Sequence, residues 1–190
     1  MAERDGPTDH ARKREEDYFR KRDRELIDRM RQAAAAEQTR RELEANTGLH
    51  DPELLKDLQE LGFAPDTIQL LPIVPILQVA WAEGGVSEAE RKLIVQLARA
   101  RGIGAGGAAD RQLSKWLTER PSAQVFAGAM RLCRAVLDHP TESIGRLSAD
   151  DVIKYAESVA SASGGMFGIG KISAEERAAL AQIASALKKR

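Results

Sequence analysis

Two serine–glutamate pairs have the residue types and spacing that could do chemistry in this chain. Ser87 and Glu90, and again Ser173 and Glu176, form the pattern Ser-x-x-Glu. This pattern is typical of a capping box, in which the serine hydroxyl accepts a helix amide hydrogen and the glutamate accepts from the serine amide. Helix capping alone accounts for both residue types at this spacing.

The same region offers a second interpretation, in which carboxylates gather around a cation. Gly84-Gly85 would bring a preceding glutamate back to the start of the next helix, and carboxylate oxygens suit Ca²⁺ or Mg²⁺. The sequence lacks the regularly alternating carboxylates of an EF-hand loop. The candidate metal ligands at this turn are Glu83, Glu88 and Glu90.

Both serine–glutamate pairs belong to a longer internal repeat. Residues 79–98 are echoed by residues 159–184, with Gly84-Gly85 matched by Gly164-Gly165 and an insert at 166–171 in the second copy. Each copy predicts a helix, a glycine break, a cap and a second helix. The repeat therefore predicts an all-α domain built from two related helix-turn-helix halves.

The first copy, Trp81-Ala82-Glu83-Gly84-Gly85-Val86-Ser87-Glu88-Ala89-Glu90-Arg91, resembles the acidic helix-turn-helix of the TerB-like (tellurite-resistance) domains. Residues 163–177 are similar to the second such turn, so the resemblance covers roughly residues 64–188. It implies a compact bundle of about seven helices with pseudo-repeat symmetry and divalent metal binding at the acidic turns. Glu83 and Glu90 stand at matching positions, whereas the second turn keeps only Glu176 and has Ile169 at its first acidic position.

Local signals divide the chain into three parts. Residues 1–11 predict a disordered lead, residues 12–46 an exposed, charged, amphipathic helical arm without Gly or Pro, and residues 47–190 the helical bundle. In the bundle, Asp51-Pro52 starts a short helix that ends at Gly62. A nearly all-apolar helix follows from Pro65 to Trp81, which predicts a central element that bends or restarts near its prolines. Further helices are predicted from Ser87 to Arg101 and over residues 110–119, 123–138, 149–162 and 174–188.

The arm carries its own pattern. Its segment from Lys13 to Leu26 resembles the inhibitory segment of the mitochondrial F-type ATPase inhibitor protein, through Glu15, Glu16, Tyr18, Phe19, Arg20, Arg22 and Leu26. In that family the segment is an amphipathic helix that wedges between catalytic subunits and blocks rotation. The resemblance implies that aromatic anchors and a charged rim bind a partner: Glu16, Tyr18, Phe19, Arg20, Arg22 and Leu26. The other interpretation is a solvated helix whose Tyr18 and Phe19 pack back on the bundle.

Composition narrows the remaining function classes. The chain has 29 basic and 29 acidic residues, and acids interleave the basic ones, which disfavours a nucleic-acid partner. The longest apolar stretch, Ile68 to Ala82, is too short to span a bilayer, and no signal peptide is visible. The one cysteine, Cys133, lies among apolar residues and predicts a buried small side chain in a reducing, cytoplasmic protein.

No residues at nucleophile or triad spacing point to an enzyme. Gly165 to Lys171 has the spacing of a phosphate-binding loop, but Ile172 stands where a hydroxyl is required. We therefore expect a non-enzymatic protein-binding module whose N-terminal helix docks a partner, with catalytic subunits of an F-type ATPase as the specific candidate. The alternative is a divalent-metal-binding, stress-response domain of the tellurite-resistance kind.

Overall fold

The computed structural model describes residues 7–137, 147–163 and 172–188, with side-chain surroundings from Arg12 onwards. Eight α-helices and no strand occur in these ranges, which confirms the all-α prediction. The helices are α1 (Pro7–Thr47), α2 (Pro52–Glu60), α3 (Val74–Ala80), α4 (Glu88–Ala100), α5 (Ala108–Thr118), α6 (Ala123–Leu137), α7 (Ala149–Ser163) and α8 (Ala174–Lys188), and a 3₁₀ helix covers Ile68–Ile73.

The chain separates into two compact units, one ending at Thr39 and one running from Arg40. In the first unit every described side chain from Arg12 to Ala36 is exposed. The last turns of α1 belong to the second unit, where Leu43 and Thr47 are completely buried. Gly48 follows with a positive φ of 70°, a conformation in which glycine ends helices without strain.

The centre of the second unit is the apolar segment that the sequence predicted as its central element. The 3₁₀ helix contains Pro72, and α3 begins directly after it with Pro75 in its first turn. Proline lacks an amide hydrogen and is tolerated at a helix start, so the segment restarts near its prolines as predicted. Within α3 every residue except Gln78 is buried. This helix packs against α4, α6, α7 and α8.

The two copies of the sequence repeat are the helix pairs α3–α4 and α7–α8. Helix α7 packs on α3, α4 and α8, so the copies share one core rather than forming two. That core includes Ile94 from the first copy and Val159 and Ile183 from the second.

The end of α5 is joined to the first copy by two side-chain donors. The last four carbonyl groups of a helix accept no hydrogen bond from an amide of the same helix, so other donors must satisfy them. The indole Nε1 of Trp81 donates to the Trp116 carbonyl at 2.8 Å, and Nη2 of Arg91 donates to the Leu117 carbonyl at 2.7 Å. Phe63 completes the contact, with its ring edge-on to Trp116 at 5.9 Å between centroids.

Candidate functional site: a buried glutamate pair and an exposed helical stripe

Both predicted capping boxes are formed. At the start of α4, the Ser87 amide donates to Oε2 of Glu90 at 2.7 Å, and the Glu90 amide donates to Oγ of Ser87 at 3.3 Å. At the start of α8, the Ser173 amide donates to Oε2 of Glu176 at 2.8 Å, and the Glu176 amide donates to Oγ of Ser173 at 3.1 Å. The two copies thus repeat the same pair of reciprocal hydrogen bonds, which the spacing Ser-x-x-Glu permits.

The glutamates of both boxes are buried. Glu90 is 3% exposed and Glu176 is 1% exposed, and together with Thr47 they are the buried polar residues of the described part of the chain. Carboxylates are almost never fully buried unless other groups pair with them. The hydrogen bonds that both carboxylates accept from serine amides supply part of that compensation.

The two buried carboxyls lie close enough to influence one another. Burial is the main cause that raises the pKa of Glu90, and the hydrogen bonds from Ser87 oppose it. The negative charges of Glu176 and then of Glu83 raise this pKa further. Glu90 therefore holds its proton more tightly than an exposed carboxyl does.

The candidate metal ligands therefore do not share one position. The charges of Glu176 and Glu83 both act on Glu90, and Glu83 lies on the exposed turn. Glu88 differs, because its side chain is 97% exposed and its Oε1 lies 3.9 Å from Nε of Arg91. Among residues 12–137, 147–162 and 172–188, no three His, Cys, Asp or Glu side chains are grouped as metal ligands.

The predicted partner-binding residues lie on the exposed part of α1. Tyr18, Phe19 and Leu26 are 55%, 54% and 52% exposed. Two more apolar side chains extend the same surface, Ile27 at 46% and Met30 at 65% exposed. We call these five residues the apolar stripe. Their helical spacing already places both beside the other three in the sequence; Met30, for example, is eleven residues after Phe19, about three helical turns.

The rim of the apolar stripe is ordered by contacts one turn apart. Nη2 of Arg20 donates to Oε2 of Glu16 at 3.2 Å, and Nη1 of Arg22 donates to the Tyr18 hydroxyl at 3.2 Å. The guanidinium of Arg22 also lies 5.8 Å from the centre of the Tyr18 ring, and Tyr18 meets Phe19 edge-on at 5.9 Å. These contacts hold the charged side chains beside the aromatic ones.

Cys133 is fully buried on α6, as the sequence predicted. Burial raises the pKa of its thiol to about 12, so the thiol stays protonated at neutral pH. A nucleophilic cysteine needs a thiolate, which this environment disfavours. The glycine-rich segment Gly165 to Lys171 lies outside the described residues.

Comparison of the chain with family models, with curated proteins and with solved structures finds no match in any of the three. The two resemblances stated above rest on the residues quoted for them. None of the described helices has both the length and the apolar character that a membrane span requires.

Proposed function

We propose that this chain is a non-enzymatic protein-binding module that docks a partner through the exposed part of α1. One observation carries the proposal. Six large apolar side chains are exposed in the described part of the chain, and five of them are those of the apolar stripe, within thirteen residues of one helix. Scattered single exposures are normal on protein surfaces, but a contiguous group of this kind marks an interaction site.

The geometry of the apolar stripe suits a groove on a partner. At about 100° per residue, Phe19, Leu26 and Met30 lie within an arc of about 40° on the helix surface. Tyr18 and Ile27 flank this line on either side. Anchors spaced over three turns on one face are the pattern by which an amphipathic helix binds in an apolar groove, with polar residues around the rim.

A more specific form of the proposal names the catalytic subunits of an F-type ATPase as the partner. In this form Tyr18 and Phe19 are the anchors, Leu26 is a further apolar contact, and Glu16 with Arg20 and Arg22 forms the rim. Its support is the residue pattern of the arm together with the exposure of both aromatic rings. Binding of the helix between subunits that must move would slow ATP hydrolysis.

The test is Phe19→Ala in the full-length chain. Phenylalanine has about 200 Å² of surface, so a groove that covers the exposed 54% removes about 110 Å² from water. At about 25 cal/mol per Å² the truncation costs about 2.7 kcal/mol, which is about a hundredfold in Kd. The matched control is Lys21→Ala, because residue 21 lies about 200° around the helix from residue 19.

Two measurements distinguish the general and the specific form. Affinity capture from native lysate with the full-length chain should recover partners that the Phe19→Ala variant loses and the Lys21→Ala variant keeps. Inhibition of F-type ATPase activity by the wild-type chain, lost in Phe19→Ala, would support the specific form. ATP hydrolysis unaffected by saturating wild-type protein would exclude that form, and an identical set of partners for all three chains would exclude the proposal itself.

The second candidate function is divalent metal binding at the acidic turns. The observation that favours it is that Glu90 and Glu176 are both buried and that the charges of Glu176 and Glu83 act on Glu90. Calorimetric titration with Ca²⁺ or Mg²⁺ should then give heat that Glu90→Gln abolishes and Glu88→Gln leaves unchanged, since Glu88 is directed into solvent. Absence of heat with the wild-type chain would remove this candidate.

A further inference from the structure

A groove of about 770 Å³ lies on the second unit and has no part in the sites described above. It is bounded by α6, by α8, by the segment before α6 and by Gln78 of α3. Its apolar surface includes Phe126 and Met130 of α6 and Ala186 of α8. A volume of this size is in the range of protein ligand sites.

The rim of the groove is positively charged. Arg120, Arg131 and Arg134 all line it, and none of its described lining residues is acidic. Arg131 forms an ion pair with Asp57 of α2, and the guanidinium of Arg120 lies 6.0 Å from the centre of the Phe126 ring. The ligand that complements this surface combines an apolar face with neighbouring negative charge.

The shape of the groove favours a helix over a compact small molecule. Its lining residues on α6 run from Ala123 to Arg134, and the eleven steps between these two residues extend about 16 Å, or three turns. Ala123, Ala127 and Ala186 are small, so another backbone can approach closely between α6 and α8. Met130 adds a flexible side chain of the kind found at helix-binding surfaces.

We propose that this groove binds an acidic amphipathic helix of another protein. The chain's own arm does not suit it, because residues 12–31 contain nine basic and six acidic residues, a net charge of +3. A like-charged helix would be disfavoured beside the three arginines. The inference rests on α6, α8 and the segment before α6, and does not depend on the function proposed for α1.

The experiment uses the full-length chain and a labelled peptide of about 18 residues, long enough for about 27 Å of helix. The peptide places leucine on one face and glutamate on the flanks, and fluorescence anisotropy measures its binding. Two further peptides carry lysine in place of glutamate, or the same composition in scrambled order. We expect saturable binding of the acidic amphipathic peptide only, weakened by salt.

Reversing the charge of the rim arginines tests whether the peptide binds in this groove. The double variant Arg120→Glu/Arg134→Glu should bind the acidic peptide at least about tenfold more weakly and should gain affinity for the lysine peptide. Arg177→Glu is the control, because it reverses an exposed arginine on α8 about 180° around the helix from Ala186. A saturable gain of binding to the lysine peptide, with an unchanged circular dichroism spectrum, shows that the variant keeps a folded groove.

Three results would overturn the inference. The first is no saturable binding of the acidic peptide to the wild-type chain. The second is equal binding by the double variant and the control. The third is displacement of the acidic peptide by dodecanoate alone at equal affinity, which would make the groove a site for small amphipathic anions.

Discussion

Replacing Glu90 with glutamine separates the capping role of this side chain from its charge. The amide oxygen of the introduced glutamine can still accept the Ser87 amide hydrogen, which Glu90 binds at 2.7 Å. Glutamine serves at this position of a capping box as glutamate does. Glu90→Ala removes both the charge and the acceptor, so the two variants together assign the stability contribution of each.

The raised pKa of Glu90 determines whether its negative charge stabilises or destabilises the folded chain. The pKa of Glu90 is raised from its ordinary value of 4.5 by burial and by Glu176, so the folded state favours the protonated form. Its stabilising contribution is present below the ordinary pKa and is lost as the pH rises through the raised one. At pH 7 the charged carboxylate therefore costs stability, and Glu90→Gln should be at least as stable as the wild-type chain.

Glu90→Ala, in contrast, should be less stable than the wild-type chain. Loss of the acceptor leaves the part-buried Ser87 amide without its partner, which costs about 1–2 kcal/mol for a cap of this kind. In a chain of 190 residues each kcal/mol shifts Tm by about 2–4 °C, so Glu90→Ala should melt about 2–8 °C lower.

Thermal melting followed by circular dichroism at pH 7 and pH 4 measures both effects. At pH 4 the wild-type Glu90 carries its proton, so any advantage of Glu90→Gln at pH 7 should disappear. The double variant Glu90→Gln/Glu176→Gln should gain less than the two single changes predict, because one substitution already removes the repulsion. A Glu90→Gln chain that melts as low as Glu90→Ala at pH 7 would refute this reasoning.

Two other substitutions test the packing of the second unit by chemical denaturation. Leu43→Ala should lower the free energy of unfolding by about 2–5 kcal/mol because Leu43 is completely buried, whereas Leu26→Ala on the same helix, 52% exposed, should change it by less than about 0.5 kcal/mol. Equal effects would show that the last turns of α1 are not part of the core. Trp81→Phe keeps an aromatic ring but removes the donor to the Trp116 carbonyl, and should cost about 1–3 kcal/mol. An unchanged unfolding midpoint for Trp81→Phe would mean that this hydrogen bond contributes nothing to stability.

Local signals in the sequence predicted most of the helix boundaries. Asp51 accepts the Glu53 amide hydrogen at 2.9 Å, and Ser87 caps α4 as expected. Gly62 follows α2 with a φ of 81°, which explains why a glycine is needed there. Caps and helix ends depend on residues within one or two turns, and this is why sequence reasoning succeeds at them.

Features that depend on packing between distant segments could not be predicted from such local sequence signals. The repeat predicted two capping boxes, but the influence of Glu176 of α8 on Glu90 of α4 depends on the packing of α7 against both helices. The groove lined by Arg120, Arg131 and Arg134 lies between residues of α6 and residues of α8 that come about fifty positions later in the chain. Neither helix carries a sequence signal for the other, because apolar residues on a helix face do not specify which distant segment packs beside them.

The helical order of α1 bears directly on how well it could bind a partner. From Arg12 to Ala36 it has no buried face, so good helix formers and contacts one turn apart must support it. The pairs Glu16–Arg20 and Tyr18–Arg22 provide such contacts at the apolar stripe itself. A segment that is already helical loses less entropy on docking than one that must fold first. The same side chains that we propose as the rim therefore also reduce the cost of binding, so Arg22→Ala should weaken partner binding more than loss of one rim charge alone would.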